Sequence, residues 1–162
     1  LVTARLTVTG NKAVLRRLHR LSQRTSLKNV APAMHRQFKK DEALAFGTKG
    51  LSTYDGAWKR LAESTLAAKR QRRQPLDILI ATGRLKRSLT ARSSDSVYDV
   101  SADRLEFGSR VPYAKYHHSL RPRKMRNGKP ILPRRRPISL TEKQKDQYRL
   151  IFRRYVLTGR RA

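Results

Sequence analysis

The chain has 162 residues, of which 39 are Lys or Arg and 11 are Asp or Glu, for a formal charge of +28. An excess of that size repels itself and is tolerated only beside something polyanionic or acidic: nucleic acid first, an acidic protein second, a membrane surface a distant third. Cysteine is absent, which removes disulfides and thiolate metal sites; no apolar run approaches the ~20 residues of a membrane span, and no signal-peptide core is seen.

The length predicts one domain, 1–162, able to bury roughly two thirds of its unfolded surface. Residues 1–9 (LVTARLTVT) alternate with β-branched side chains and predict a strand, broken by Gly10 and Asn11. Val14, Leu15, Leu18 and Leu21 mark one helical face, with Arg16, Arg17, Arg20 and Arg24 elsewhere around the helix. After an interruption at 25–29, a second helical pattern runs through Val30, Met34 and Phe38, and the two patterns fit one long bent helix equally well. Pro32 is tolerable there only in the first turn, and Gly47 and Gly50 end the pattern. Trp58, the single tryptophan, and Leu61 are expected to anchor a loop to the core. Ser64 or Thr65 starts a further helix that runs to the basic cluster Lys69, Arg70, Arg72 and Arg73, with Pro75 stopping it.

The central stretch ILIATGRLKRSLT, 78–90, reads as a buried strand end (Ile78, Leu79, Ile80) leading into a short helix. Thr82 is placed to accept a bond from the free N–H groups of the next turn, and Gly83 allows a tight turn. Leu85 and Leu89 then share one face, with Arg84, Lys86 and Arg87 turned outward. Residues 96–109 predict a β-hairpin, with Ala102 and Asp103 at its turn. Residues 111–120 predict a short helix opened by Pro112.

Residues 121–136 are the most unusual, with Lys or Arg at eight of sixteen positions: Arg121, Arg123, Lys124, Arg126, Lys129, Arg134, Arg135 and Arg136. Asn127–Gly128 suits a two-residue turn. The segment reads as a projecting basic arm, ordered only by a phosphate or protein partner. A closing helix follows, with Thr141 and Gln144 forming a capping box, Tyr148, Ile151, Phe152 and Tyr155 on its buried face, and Gly159 as its stop. Strand, helices, hairpin and helix together predict an α+β fold, a small antiparallel sheet with helices packed on it.

Chemistry has little to stand on in this sequence. His19 and His35 lie among basic helical residues, while His117 and His118 are adjacent and cannot share one face. The acids are scattered without metal-ligand spacing, and no phosphate-binding glycine loop occurs. The expectation is a protein that is not an enzyme and carries no catalytic residue, metal or cofactor. Most of the aromatics sit at core spacings, and they are not interleaved with the basic runs in a base-stacking pattern. Contact with phosphates as a charged surface therefore fits better than base readout.

Four segments in order, GAWKRLAESTLAAK (56–69), ILIATGRLKRSL (78–89), YAKYHH (113–118) and LPRRRPISLTEKQKDQYRLIFRRYV (132–156), carry a resemblance. They resemble the tailed-phage virion morphogenesis, or tail completion, family. Its motif positions fall at Trp58, Leu61, Thr65 and Lys69; at Leu79, Thr82, Gly83, Leu85 and Ser88; at Tyr113, Ala114 and His117; and at Pro133, Arg136 and Pro137. The sequence departs from the family where His118, Ser119 and Leu120 replace a Gln-Phe-Gly-like triplet. It departs again where Ile138, Ser139 and Leu140 replace an aromatic–leucine–glycine run.

The resemblance implies a tail-terminator-like fold and a structural protein of the virion neck or tail top, assembled in the host cytoplasm. Such proteins form homo-oligomeric rings, often hexameric, against other neck, connector or tail-tube proteins. They surround the channel through which genomic DNA passes, touch it without sequence preference and have no membrane partner. The arm residues and the cluster Lys69, Arg70, Arg72 and Arg73 are the expected DNA or partner contacts, and Trp58, Leu61, Leu79, Leu85 and Leu89 the expected core anchors. The competing expectation is a basic RNA-binding structural protein of ribosomal character. A nuclease is disfavoured by the missing acidic cluster for metal ions.

Overall fold

A computed structural model describes residues 16, 19–22, 26–119 and 133–159. The strand expected at 1–9 and residues 121–132 of the basic arm lie outside the described residues. Of the first helical face only Leu21 is described, in a helical conformation. The element that organises the rest is α1 (Ala31–Gly47), entered from a 3-10 turn at Leu27–Asn29 with Pro32 in its first turn. Its buried positions include Met34, Phe38, Ala45 and Phe46, a stripe that lets neighbours pack along its whole length.

The remaining elements are α2 (Glu63–Gln71), α3 (Arg84–Thr90), β1 (Ser96–Val100), β2 (Leu105–Ser109), α4 (Ala114–His118) and α5 (Glu142–Thr158). The fold class is α+β, with one two-stranded antiparallel sheet among the described residues. In its register Tyr98 faces Phe107 and Val100 faces Leu105. The turn closes at Ser101, whose amide donates to the Arg104 carbonyl at 2.8 Å, so Ala102 and Asp103 sit at the tip as expected.

Two apolar clusters lie along α1. The larger joins Phe38 and Phe46 to Trp58, Ile78, Leu85 and Leu89, with Val111 and Ala114. The smaller joins Val30 and Met34 to Tyr155 of α5, with Ile151 and Phe152 against it. Phe107 and Tyr148 touch both, so hairpin and final helix bridge the two. Leu85 and Leu89 are each 1 % exposed, and side chains of that size contribute about 1.5–3 kcal/mol apiece when fully buried.

Two expectations need correction. Residues 78–80 are a turn, not a strand end: Leu79 has φ +61°, which strand pairing does not accommodate, and only Ile78 is buried. α2 begins at Glu63, one residue before Ser64, after Ala62, and no side chain caps it. At α3 the residue preceding the helix is Gly83, at φ +74°, while the Thr82 hydroxyl accepts from the Arg84 amide at 3.4 Å. α5 carries the full capping box between Thr141 and Gln144 and stops at Gly159.

Candidate functional site

The last part of the expected arm is built into the body. Residues 133–139 cross the loop between α1 and α2 as a strap. Arg135 is 7 % exposed; its guanidinium donates to the carbonyls of Lys59 at 2.9 Å and Arg60 at 3.0 Å. Arg136 makes a two-pronged pair with Asp55, both bonds 2.7 Å, and Arg134 reaches the same carboxylate at 3.0 Å. The indole N–H of Trp58 donates to the Arg136 carbonyl at 3.2 Å, and the Tyr54 amide to that of Ser139 at 2.9 Å. The hydrogen bond from Arg136 is the main reason the Asp55 carboxyl titrates at about 2, a fall that partial burial opposes; Ser139 and the charges of Arg136 and Arg134 add to it.

Trp58 lies in the core as the anchor expected of it, its ring edge-on to Phe46 at 5.5 Å. Its seat depends on Gly50, where a Cβ would come within 2.4 Å of the indole and where φ is +88°.

Lys69, expected among the exposed basic residues, is the one buried residue of α2. Its ammonium donates to the carbonyls of Pro75 at 2.7 Å and Asp77 at 2.9 Å, and to that of Ile80. A compact cation with three rotatable donors suits a loop that turns three carbonyls inward. Burial lowers its pKa, the charge of Asp77 opposes this, and that of Arg135 adds to the fall. Lys69 is therefore a structural clasp that holds α2 to the turn before α3. Arg70, Arg72 and Arg73 remain exposed at the end of α2.

His117 and His118 are half-buried, and Nδ1 of the first and Nε2 of the second are enclosed without a hydrogen-bond partner. Burial lowers both pKa values, reinforced by Arg135 at His117 and by Arg136 at His118, where Asp55 partly offsets it. They are neutral packing rings at pH 7. His35 also packs, its ring 4.7 Å from that of Tyr98 and 5.0 Å from that of Phe107.

An acid pair on α1 was missed by sequence reasoning. Asp41 accepts from the Tyr148 hydroxyl at 2.9 Å and from the Gln37 side-chain amide at 2.9 Å. Glu42 is 1 % exposed and its Oε2 has no partner. Burial first, then the neighbouring charge of Asp41, pushes its carboxyl up to about 8, so it holds its proton at pH 7. Sealed from solvent, it has no access to a substrate. The signal for it was the spacing Phe38, Glu42, Phe46, which puts an acid in the middle of an apolar stripe.

Of the expected contact residues, Arg121, Arg123, Lys124, Arg126 and Lys129 lie outside the described residues. Arg134, Arg135, Arg136 and Lys69 are tied up within the fold. Arg70, Arg72 and Arg73 stay exposed, and the structure adds a basic set that the sequence reading did not take as contacts: Arg84 and Arg87 on α3, turned outward as expected, with Arg92 just beyond it. Among the described residues no group of three or more His, Asp or Glu side chains is arranged to hold a metal ion, and no helix is long and apolar enough to cross a membrane. Comparison with family models, with curated proteins and with solved structures found no match.

Proposed function

We propose that this chain is a structural protein of the tailed-phage neck or tail top. In this reading several copies, six in the simplest case, form a tail-terminator-like ring that completes the tail and joins it to the head around the DNA channel. The observation that carries the reading is where the four resembling segments meet. Trp58, Leu85, Leu89 and Ala114 come from three of them and share one apolar cluster, against which Ile138 from the fourth is packed. Lys69 and Arg136 from the same segments fasten the loops around it. The motif residues thus act as scaffold, as expected when what is held in common is a shape for assembly rather than a catalytic centre.

Charge supports the same reading. All 11 acids lie among the described residues. Asp55, Asp95, Asp99, Glu142 and Asp146 pair with basic side chains of the same chain, Asp41 is held by Tyr148 and Gln37, and Glu42 is sealed inside. Glu63, Asp77, Asp103 and Glu106 remain exposed without an ion pair among the described residues, a small acidic surface to set against the basic surface of another copy. Contacts between copies then fall to apolar groups, and Leu44, Leu51 and Tyr54 stand exposed around the end of α1. The basic excess is left for DNA and acidic neighbours, and a lining blind to sequence lets DNA slide.

The test is assembly on purified phage tails that lack this protein. Added chain should bind at the head-proximal end, appear there as a closed ring by electron microscopy, and restore joining to filled heads. Tails that join heads equally well without it would sink the reading.

A further inference from the structure

We propose that the cleft running from α3 to the face of α1 is a binding site for a nucleic-acid backbone, with Arg84, Arg87 and Arg92 holding consecutive phosphates. This assignment rests on the DNA-facing role proposed above and names the surface that performs it.

The cleft consists of two adjoining depressions. One is lined by Arg84, Arg87, Arg92, Ser93, Ser94 and Asp95. The other is lined by Arg92 and Ser93 again, then by Ser96 and Tyr98 of β1 and His35 and Lys39 of α1. Because Arg92 and Ser93 belong to both, the two form one elongated trough. A single small anion would meet only some of these cations, whereas a chain carrying a phosphate at each step can meet all of them.

Four cations and one acid face the trough. Asp95 is already engaged by Arg84 through two 2.7 Å bonds, which orient that guanidinium and leave it partly neutralised. Arg87, Arg92 and Lys39 have no ion-pair partner among the described residues. Ser94 is exposed between them and available as a neutral donor to a phosphate oxygen, while the Ser93 hydroxyl, 3.3 Å from that of Ser96, is spent on holding the loop. Guanidinium groups suit this task through their planar, two-pronged geometry. At the far end the Tyr98 ring, 46 % exposed and backed by Phe107 and His35, offers an apolar wall for a sugar or base. His35 adds no charge of its own at neutral pH, since burial and then Lys39 lower its pKa.

The trough sits on the rigid part of the molecule. Leu85, Ser88 and Leu89 of α3 are buried. The Ser96 hydroxyl donates to the Ser88 carbonyl at 2.8 Å, fixing the loop that carries Arg92.

The test is binding of a fluorescent mixed-sequence oligonucleotide, duplex and single-stranded, to the full chain across a salt series. Arg87→Ala with Arg92→Ala should weaken binding and make the log–log salt slope shallower by roughly 1.5. That corresponds to two phosphate contacts at about 0.7 to 0.9 each. Arg153→Ala with Arg154→Ala removes the same charge from exposed positions on α5 and should leave the slope unchanged. Equal slopes for wild type and the Arg87/Arg92 variant would overturn the cleft, as would equal losses in both variants. Absence of oligonucleotide binding by wild type would overturn the cleft and the DNA contact together. The ring is tested apart from both by its assembly on tails. Circular dichroism and thermal midpoints of both variants should match wild type, because none of the four side chains is buried.

Discussion

At the scale of single residues, two buried ionisable groups have opposite characters. Lys69 keeps its charge because three carbonyls surround the ammonium, whereas Glu42 has an unpartnered oxygen and keeps its proton instead. Replacing Lys69 by Met preserves much of the stem and strands the carbonyls. The expected loss is on the order of 3 kcal/mol in chemical denaturation, with α2 losing amide protection first. Glu42 controls how stability varies with pH. Its folded pKa of about 8 lies above its ordinary 4.5, so the stability it allows is fully present below about pH 4.5. That stability falls as pH rises from there towards 8, by at most about 1.4 kcal/mol per pH unit, and is flat above. Glu42→Gln should remove this slope, so wild type and variant compared by urea denaturation at pH 5 and pH 8 should diverge at the higher pH. Parallel curves at both values would show that Glu42 is not the group responsible.

At the scale of elements, the titratable groups beside the strap at 133–139, Asp55, His117 and His118, all respond to acid in the same direction. The Asp55 carboxyl, at about 2 in the fold against an ordinary 3.8, contributes stability above about pH 4 that is lost as pH falls through 2. His117 and His118 have pKa values below 6.5, so the unfolded chain takes up protons before the folded one, and acidification below about 6.5 costs stability there too. The strap should therefore loosen before the α1 core does. Because Trp58 donates to the strap's Arg136 carbonyl, its emission should shift to the red between pH 6.5 and 3, ahead of the loss of helical circular dichroism. Asp55→Asn cannot pair with two guanidiniums and should speed hydrogen exchange at the Tyr54 amide already at pH 7. Coincident fluorescence and helix transitions would mean that strap and core open as one unit.

At the scale of the whole molecule, the pairing of acids within the chain leaves a body that repels its own copies. At low ionic strength the isolated chain should sediment as a monomer or weak oligomer. Shielding by salt, with a Debye length of about 10 Å at 0.1 M, should promote association through apolar contacts. Addition of a short DNA duplex should do the same by neutralisation. Stable hexamers at low salt that dissolve as salt rises would instead point to electrostatic contacts between copies.

The sequence by itself determined the elements whose cause is local. Repeat spacing placed α1, α3 and α5, the capping box and Gly159 bounded α5, and alternation around Ala102–Asp103 placed the hairpin. It also marked Trp58 as a core anchor, because the single indole, with Leu61 three residues on, has a large apolar surface to bury. What only the tertiary structure decided was the fate of the charges. Lys69, Arg135 and Arg136 look the same in sequence as Arg70, Arg87 and Arg92. The difference lies in carbonyls and a carboxylate brought to them from elsewhere, Arg136 meeting Asp55 across 81 positions and Arg135 meeting Lys59 across 76. The same holds at 78–80, where the apolar run suggested a strand and the fold has a turn whose Ile80 carbonyl accepts from Lys69. A basic residue carries the same charge whether it fastens a loop or faces a partner, and its role is settled by which acceptors the fold brings within reach.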